Sequence, residues 1–518
     1  MKTLLQKYTC IVALICLTAG CDADISGSFG DDPDPGIADF STFVVLGDSF
    51  TAGYADCVLY RHGQENSFPA IMAQQFTTVG GGSFNQPRMP VGATGSLTLT
   101  AFPLPTCDPL PTLDPPPPSD RLWLVPTGDP DRPAEPASIT PTQSTEILLP
   151  PDTGLPYNNM GVPGAKSYHL DDANYGAPLG VGVGSANPYF VRFASSATTS
   201  MLTDATPPMQ VATFFVLWIG NNDVLAYATS GGVGVVGAGL PPYGDNDITP
   251  AAQFAIIYDG ILTAMNTPTN KGVLVNIPDV TTMPYFTTVP YNAIPLTAAE
   301  ADQLNMNPLL IDYNSGVTAA IGFNGMTAEE AALRQVSFSE GQNRILILDE
   351  ALTNLTGLDP QLISQRQATA DDYILLPTLS KLGVEQIPGN PTTVWGLSNP
   401  LIDGDVLTAD EVSIVDGQRT GPMGYNATIK AAADADPDLL LFDADAFFTE
   451  LSTTGILYGS GGISSTFGQG GGISLDGIHP TARGYAVIAN EMFKLINAGF
   501  GGYIPPVDPS DYTTVFYQ

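Results

Sequence analysis

The sequence predicts an α/β fold built on a parallel sheet covered on both faces. Two observations predict it. Short apolar runs of strand length recur along the 518 residues, several closed at once by Gly or Pro. Between them lie longer stretches whose apolar residues return at helical spacing. A strand buried on both faces reads as a continuous apolar run, and strands joined through helices pair in parallel.

The elements follow in order. Residues 42–46 form the first apolar run, ending at Gly47. Residues 67–76 read as a helix, with Ser67 placed to cap it and Pro69 in the first turn, where a missing N–H costs nothing. Residues 213–219 make a second strand before Gly220, and 251–265 carry a helical pattern. Residues 272–277 make a third strand, closed by Pro278, and helix 425–435 and strand 438–442 come later. The last helix is expected over 480–498. Pro480 takes its first position, Tyr485, Ile488, Met492 and Leu495 form its apolar stripe, and Gly499 stops it.

Two stretches break this rhythm. Residues 80–156 are rich in Pro and polar side chains. Residues 280–423 contain helix starts of their own, with capping-box spacing at Thr297 and Glu300, Thr327 and Glu330, and Thr408 and Glu411. Both read as insertions into a single domain spanning 39–518. The Gly-rich 459–472 lacks periodicity and reads as a mobile loop. It has no Gly-Lys-Ser/Thr ending and so is not a phosphate loop.

Residues 1–20 read as a targeting signal. Lys2 and Lys7 precede an apolar run too short to span a membrane, which ends in Leu17-Thr18-Ala19-Gly20-Cys21. Small residues before a Cys resemble the lipobox of bacterial lipoproteins, which implies lipidation at Cys21 and a membrane anchor outside the cytoplasm. Residues 21–38 are acidic and rich in Gly and Pro, as a flexible tether would be. Cys57 and Cys107 are then left as a candidate disulfide.

Charge excludes whole classes of partner. Lys and Arg total 17 against 52 Asp and Glu, a formal net charge of −35. Nucleic acid needs basic contacts to neutralise phosphates, and an anionic membrane surface repels such a body.

The residues that carry chemistry stand at the ends of the apolar runs. Ser49 lies in Gly47-Asp48-Ser49-Phe50-Thr51-Ala52-Gly53, just past the first strand, where open α/β sheets place their ligands. His479 follows Asp476 by three residues, a spacing that lets the carboxylate accept from the ring and fix its tautomer. His169, near Asp171 and Asp172, is the alternative base. Asn222, in Gly220-Asn221-Asn222-Asp223, stands beyond another strand, and its amide can donate to an oxyanion. Gly164, in the segment from Asn158 to Ala165, offers a backbone N–H for the same purpose.

In their order along the chain these four blocks resemble the GDSL, or SGNH, hydrolase family. The resemblance implies a three-layer α/β/α sandwich on a flavodoxin-like parallel sheet. It implies Ser49 as nucleophile, His479 as base and then acid, Asp476 as the group orienting it, and an oxyanion hole of Ser49, Gly164 and Asn222. Asp48 reads as structural. The expected activity is hydrolysis of a carboxylic ester, on a small molecule, lipid or glycan, through an acyl-enzyme. No cofactor is implied, and one triad His without a Cys/His cluster makes no zinc site. The spacings exceed those of compact members because of the two insertions, which offer a cap over the site or a docking surface for a protein partner. Two rival functions share these residues: a lipid-anchored ligand-binding or carrier protein, and an acyltransferase.

Overall fold

The computed structural model describes residues 32–91, 122–129, 132–138, 151, 153–207, 209–390, 393–459 and 461–515. The targeting segment, Cys21 and Cys107 lie outside the described residues. At the centre are five strands: β1 Phe43–Gly47, β2 Asn159–Gly161, β3 Phe214–Trp218, β4 Lys271–Val275 and β5 Leu439–Phe442. They lie in the order β2-β1-β3-β4-β5, every pair parallel. This is the flavodoxin-like order, with the direction of winding reversing between β1 and β3. Every residue of β1 and β3 is buried. Successive strand side chains point to opposite faces, so both faces of the sheet are covered.

Among the helices are α1 Ser49–Ala52, α2 Phe68–Phe76, α3 Asn222–Thr229, α4 Ala251–Met265, α5 Tyr425–Ala435, α6 Ala444–Thr453 and α7 Ala482–Phe500. α2 packs on α7, and α4 on α5. α4 and α5 coincide with the helical patterns expected at 251–265 and 425–435. Ser67 precedes α2 as expected, but its hydroxyl donates to the Gln64 carbonyl at 2.8 Å and makes no cap bond.

The ends of α7 differ from expectation at both termini. Pro480 lies outside the helix because Thr481 is the better cap, its hydroxyl accepting from Gly484 N–H at 3.0 Å. Gly499 continues the helix. Its missing side chain admits Leu440, which stands 2.6 Å from where a Cβ would be, and the left-handed stop falls at Gly501.

The insertion leaving after β4 has a hydrophobic core of its own, with Val317, Ile345, Ile347, Leu355, Ile374 and Leu401 fully buried. Inside it Arg366 bridges Asp349 and Asp372, all three nearly without exposure. The capping boxes at Thr297 and Thr408 form; at Thr327 only the threonine half does, accepting from Glu330 N–H. Within residues 80–156 the described part includes one antiparallel pair, Leu122–Asp129 with Arg132–Ser138.

Two further expectations are corrected. The segment expected as a mobile loop at 459–472 contains Gly461–Ile463, paired antiparallel with Ile456–Tyr458. The acidic tether expected through residue 38 is tied to the body from Asp34 onward. Asp34 and Tyr503 exchange backbone bonds of 3.0 and 2.7 Å, and Gly36 fits against Phe500 only because it lacks a Cβ. Among the described residues, no helix is long and apolar enough to cross a membrane.

Candidate active site

The site begins where β1 ends. A Cβ on Gly47 would stand 2.4 Å from the Trp218 carbonyl oxygen and 2.3 Å from Thr51 Oγ1, so only glycine lets the chain turn there. Asp48 then caps α1, its Oδ1 accepting from Phe50 N–H at 3.1 Å. The helix ends after one turn at left-handed Gly53. Ser49 therefore sits at the carboxyl end of β1, beside the reversal of winding. As the first helical residue, its own N–H has no acceptor within the helix.

His479 Nε2 lies 2.8 Å from Ser49 Oγ, and His479 Nδ1 lies 2.9 Å from Asp476 Oδ2. All three residues are buried. A carboxylate has no proton to give, so Nδ1 carries the hydrogen and donates to it, leaving Nε2 free to accept from the hydroxyl. The other carboxylate oxygen accepts from the backbone N–H groups of Ile478 at 2.9 Å and His479 at 2.8 Å. Burial works to raise the Asp476 pKa, but the imidazole and these amides outweigh it and hold the carboxyl below the usual range. The rings of Phe50 and Tyr54 pack on the imidazole, with centroids 5.1 and 4.8 Å away.

The three residues after Gly220 tie the site together, each side chain reaching a different partner. Asn221 Nδ2 donates to Asp48 Oδ2 at 2.9 Å, beside the nucleophile. Asn222 Nδ2 donates to the Ala165 carbonyl at 3.0 Å, one residue past Gly164. Asp223 accepts from Ser167 N–H at 2.8 Å and from its hydroxyl at 2.6 Å. Gly164 has φ +80°, a conformation that favours glycine. The loop carrying Gly164 is thus fastened to α3, and α3 to the turn carrying Ser49. One hydrogen of the Asn222 amide is used by Ala165; its second remains to donate.

His169, the alternative base, is placed elsewhere and differently. Its Nδ1 accepts from Lys166 N–H at 3.0 Å, and its ring stacks on Tyr175 at 4.2 Å. Burial pushes its pKa down to about 3, with Lys166 adding to the effect, so it is a neutral structural ring. It makes no hydrogen bond to Asp171 or Asp172.

Several contributors carry no signal in the sequence. Asp56 and Cys57 hold the loop of Asp476 from across the chain, with Cys57 N–H donating to Asp476 Oδ2 at 3.3 Å. The insertion also reaches this loop, since Tyr285 N–H donates to the Gly477 carbonyl at 2.9 Å. Such contacts are fixed by tertiary packing between remote segments, so no local pattern announces them. Asn221 lies inside the block Gly220-Asn221-Asn222-Asp223, where a second amide at the strand end is a readable signal. Cys57 is disulfide-bonded.

An apolar crevice of about 10 Å3, scarcely room for one water molecule, lies against Phe50 and Ile478. Phe50, Leu225, Ile277, Val280, Met283 and Ile478 line it. Phe50 and Ile478 are the immediate neighbours of Ser49 and His479. Among the described residues, no group of three or more His, Cys, Asp or Glu side chains is arranged to hold a metal ion. No protein-family model, curated protein or solved structure matches this chain.

Proposed function

We propose that this chain is a serine ester hydrolase of the GDSL, or SGNH, kind. The observation that carries the reading is the unbroken line Ser49 Oγ, His479 Nε2, His479 Nδ1, Asp476 Oδ2, with links of 2.8 and 2.9 Å. A binding or carrier module has no need of a hydroxyl backed by an oriented imidazole and a buried carboxylate.

In this reading Ser49 Oγ attacks the ester carbonyl as its proton passes to His479 Nε2, and Asp476 stabilises the imidazolium. The carbonyl oxygen becomes an oxyanion facing the N–H groups of Ser49 and Gly164 and the second hydrogen of the Asn222 amide. Collapse expels the alcohol, which takes the proton from His479. Water then repeats the sequence on the acyl-enzyme, releasing the acid and restoring Ser49.

The test is turnover on a chain-length series by wild type and Ser49→Ala. Turnover on the best member of the series, lost by about 10³-fold or more in the variant, supports the reading. Equal and negligible turnover by both proteins refutes it.

We propose further, from the likeness of residues 17–21 to a lipobox, that a lipid attached at Cys21 holds this activity outside the cytoplasm. Cells expressing the chain should incorporate labelled fatty acid into wild type and not into Cys21→Ala; equal labelling of both contradicts the anchor.

A further inference from the structure

We infer that the turn formed by Asp56 and Cys57 is a positioning element for Asp476, an inference that rests on the hydrolase reading. Both residues have positive φ, 52° and 69°. L-residues avoid this region, Asp less than most, and strain of this kind persists only where the surroundings fix it. Here they do. The Tyr54 hydroxyl donates to the Cys57 carbonyl, and the Tyr60 hydroxyl donates to Asp56 Oδ2 at 3.2 Å. Ala55 and Val58 exchange backbone bonds of 3.2 and 3.1 Å across the turn.

The conformation aims three groups at three successive residues of the triad loop. Asp56 N–H donates to Ser474 Oγ at 3.1 Å. Asp56 Oδ1 accepts from Leu475 N–H at 3.2 Å. Cys57 N–H donates to Asp476 Oδ2 at 3.3 Å. That last oxygen is the one that receives His479 Nδ1–H. The carboxylate is therefore fixed at one oxygen by its own loop and at the other by this turn. A carboxylate held at both oxygens keeps the imidazole in the tautomer that accepts the serine proton. Asp56 touches neither substrate nor reacting atoms; it acts through Asp476.

Three substitutions separate positioning from strain in the full-length protein. Asp56→Asn keeps an oxygen for Leu475 N–H and tolerates the left-handed turn. Asp56→Gly tolerates the turn but removes the acceptor. Asp56→Ala removes the acceptor and adds strain, and if it fails to fold, the other two carry the test. Two readouts are taken: steady-state kinetics on the best ester, and the far-downfield proton resonance of an imidazole N–H bound to a carboxylate, which needs no substrate. The expected result for Asp56→Gly is loss of the resonance and about tenfold or more lower kcat, with KM changed by less than about twofold. Asp56→Asn should resemble wild type in both. Resonance and kcat intact in Asp56→Gly, or lost equally in Asp56→Asn, would overturn the inference. A wild type that shows the resonance yet hydrolyses no ester refutes the hydrolase reading, and the resonance of the variants still decides this one.

Discussion

Asp48 and Asp476 are buried in one site, yet their pKa values move in opposite directions. For Asp48 burial dominates and lifts the carboxyl to about 7, against the opposing pull of Asn221, Phe50 N–H and His479. For Asp476 the neighbours win. A carboxyl with a raised pKa binds its proton more tightly folded than unfolded. Its contribution to stability is full below about pH 4 and is lost as pH rises through about 7. Asp48→Asn removes this dependence, and Asn221 can accommodate the new amide because its buried Oδ1 has no partner. Relative to wild type, Asp48→Asn should gain stability between pH 5 and pH 8, by at most roughly 3 kcal/mol. Urea unfolding of both proteins at the two pH values checks it; a constant difference contradicts it. Asp476→Asn should cost about 10⁴ in kcat, because the amide favours the wrong tautomer. A loss below about tenfold in steady-state assays would show that Asp476 does not orient the ring. Ser49, Asp476 and His479 were legible because each lies in a short local pattern. Asp56 was not, since its meaning depends on a loop met only after folding.

At the scale of elements, legibility followed apolar composition. β1, β3, β4 and β5 announced themselves as apolar runs. β2 did not, because a three-residue edge strand needs no such run; Asn158 and Asn159 anchor it instead, donating to the Phe43 and Thr51 carbonyls at 2.9 and 3.0 Å. The loop from Asp476 to His479 is gripped from two sides, by the Asp56–Cys57 turn and by Tyr285 of the insertion. Gly477 makes the second grip possible. It has φ +75°, and a Cβ there would stand 2.8 Å from Tyr285 N. Gly477→Ala should therefore lower kcat about tenfold or more and cost on the order of 1–2 kcal/mol or more in stability. Kinetics and thermal unfolding measured together check this; unchanged kcat would mean that the insertion does not hold the triad loop.

At the scale of the molecule, the described residues form two large hydrophobic cores. The capping signals of the insertion were readable, but its separate core was not, because its apolar residues are scattered among short elements. Arg366, buried between Asp349 and Asp372, joins the elements of that core. Arg366→Ala leaves two buried carboxylates unpaired and should destabilise the insertion by about 3–5 kcal/mol. An unfolding transition that moves below the main one, carrying ester turnover with it, is the expected outcome; an unmoved transition contradicts it. The central claim is that Ser49 is a nucleophile activated through His479. Its most direct test is covalent capture: the full-length protein is treated with a fluorophosphonate and the adduct is mapped by peptide mass. The account predicts a single adduct on the peptide carrying Ser49, absent in Ser49→Ala and slowed by about 10³-fold or more in His479→Ala. An adduct on another serine, or labelling of Ser49→Ala at the wild-type rate, would contradict it.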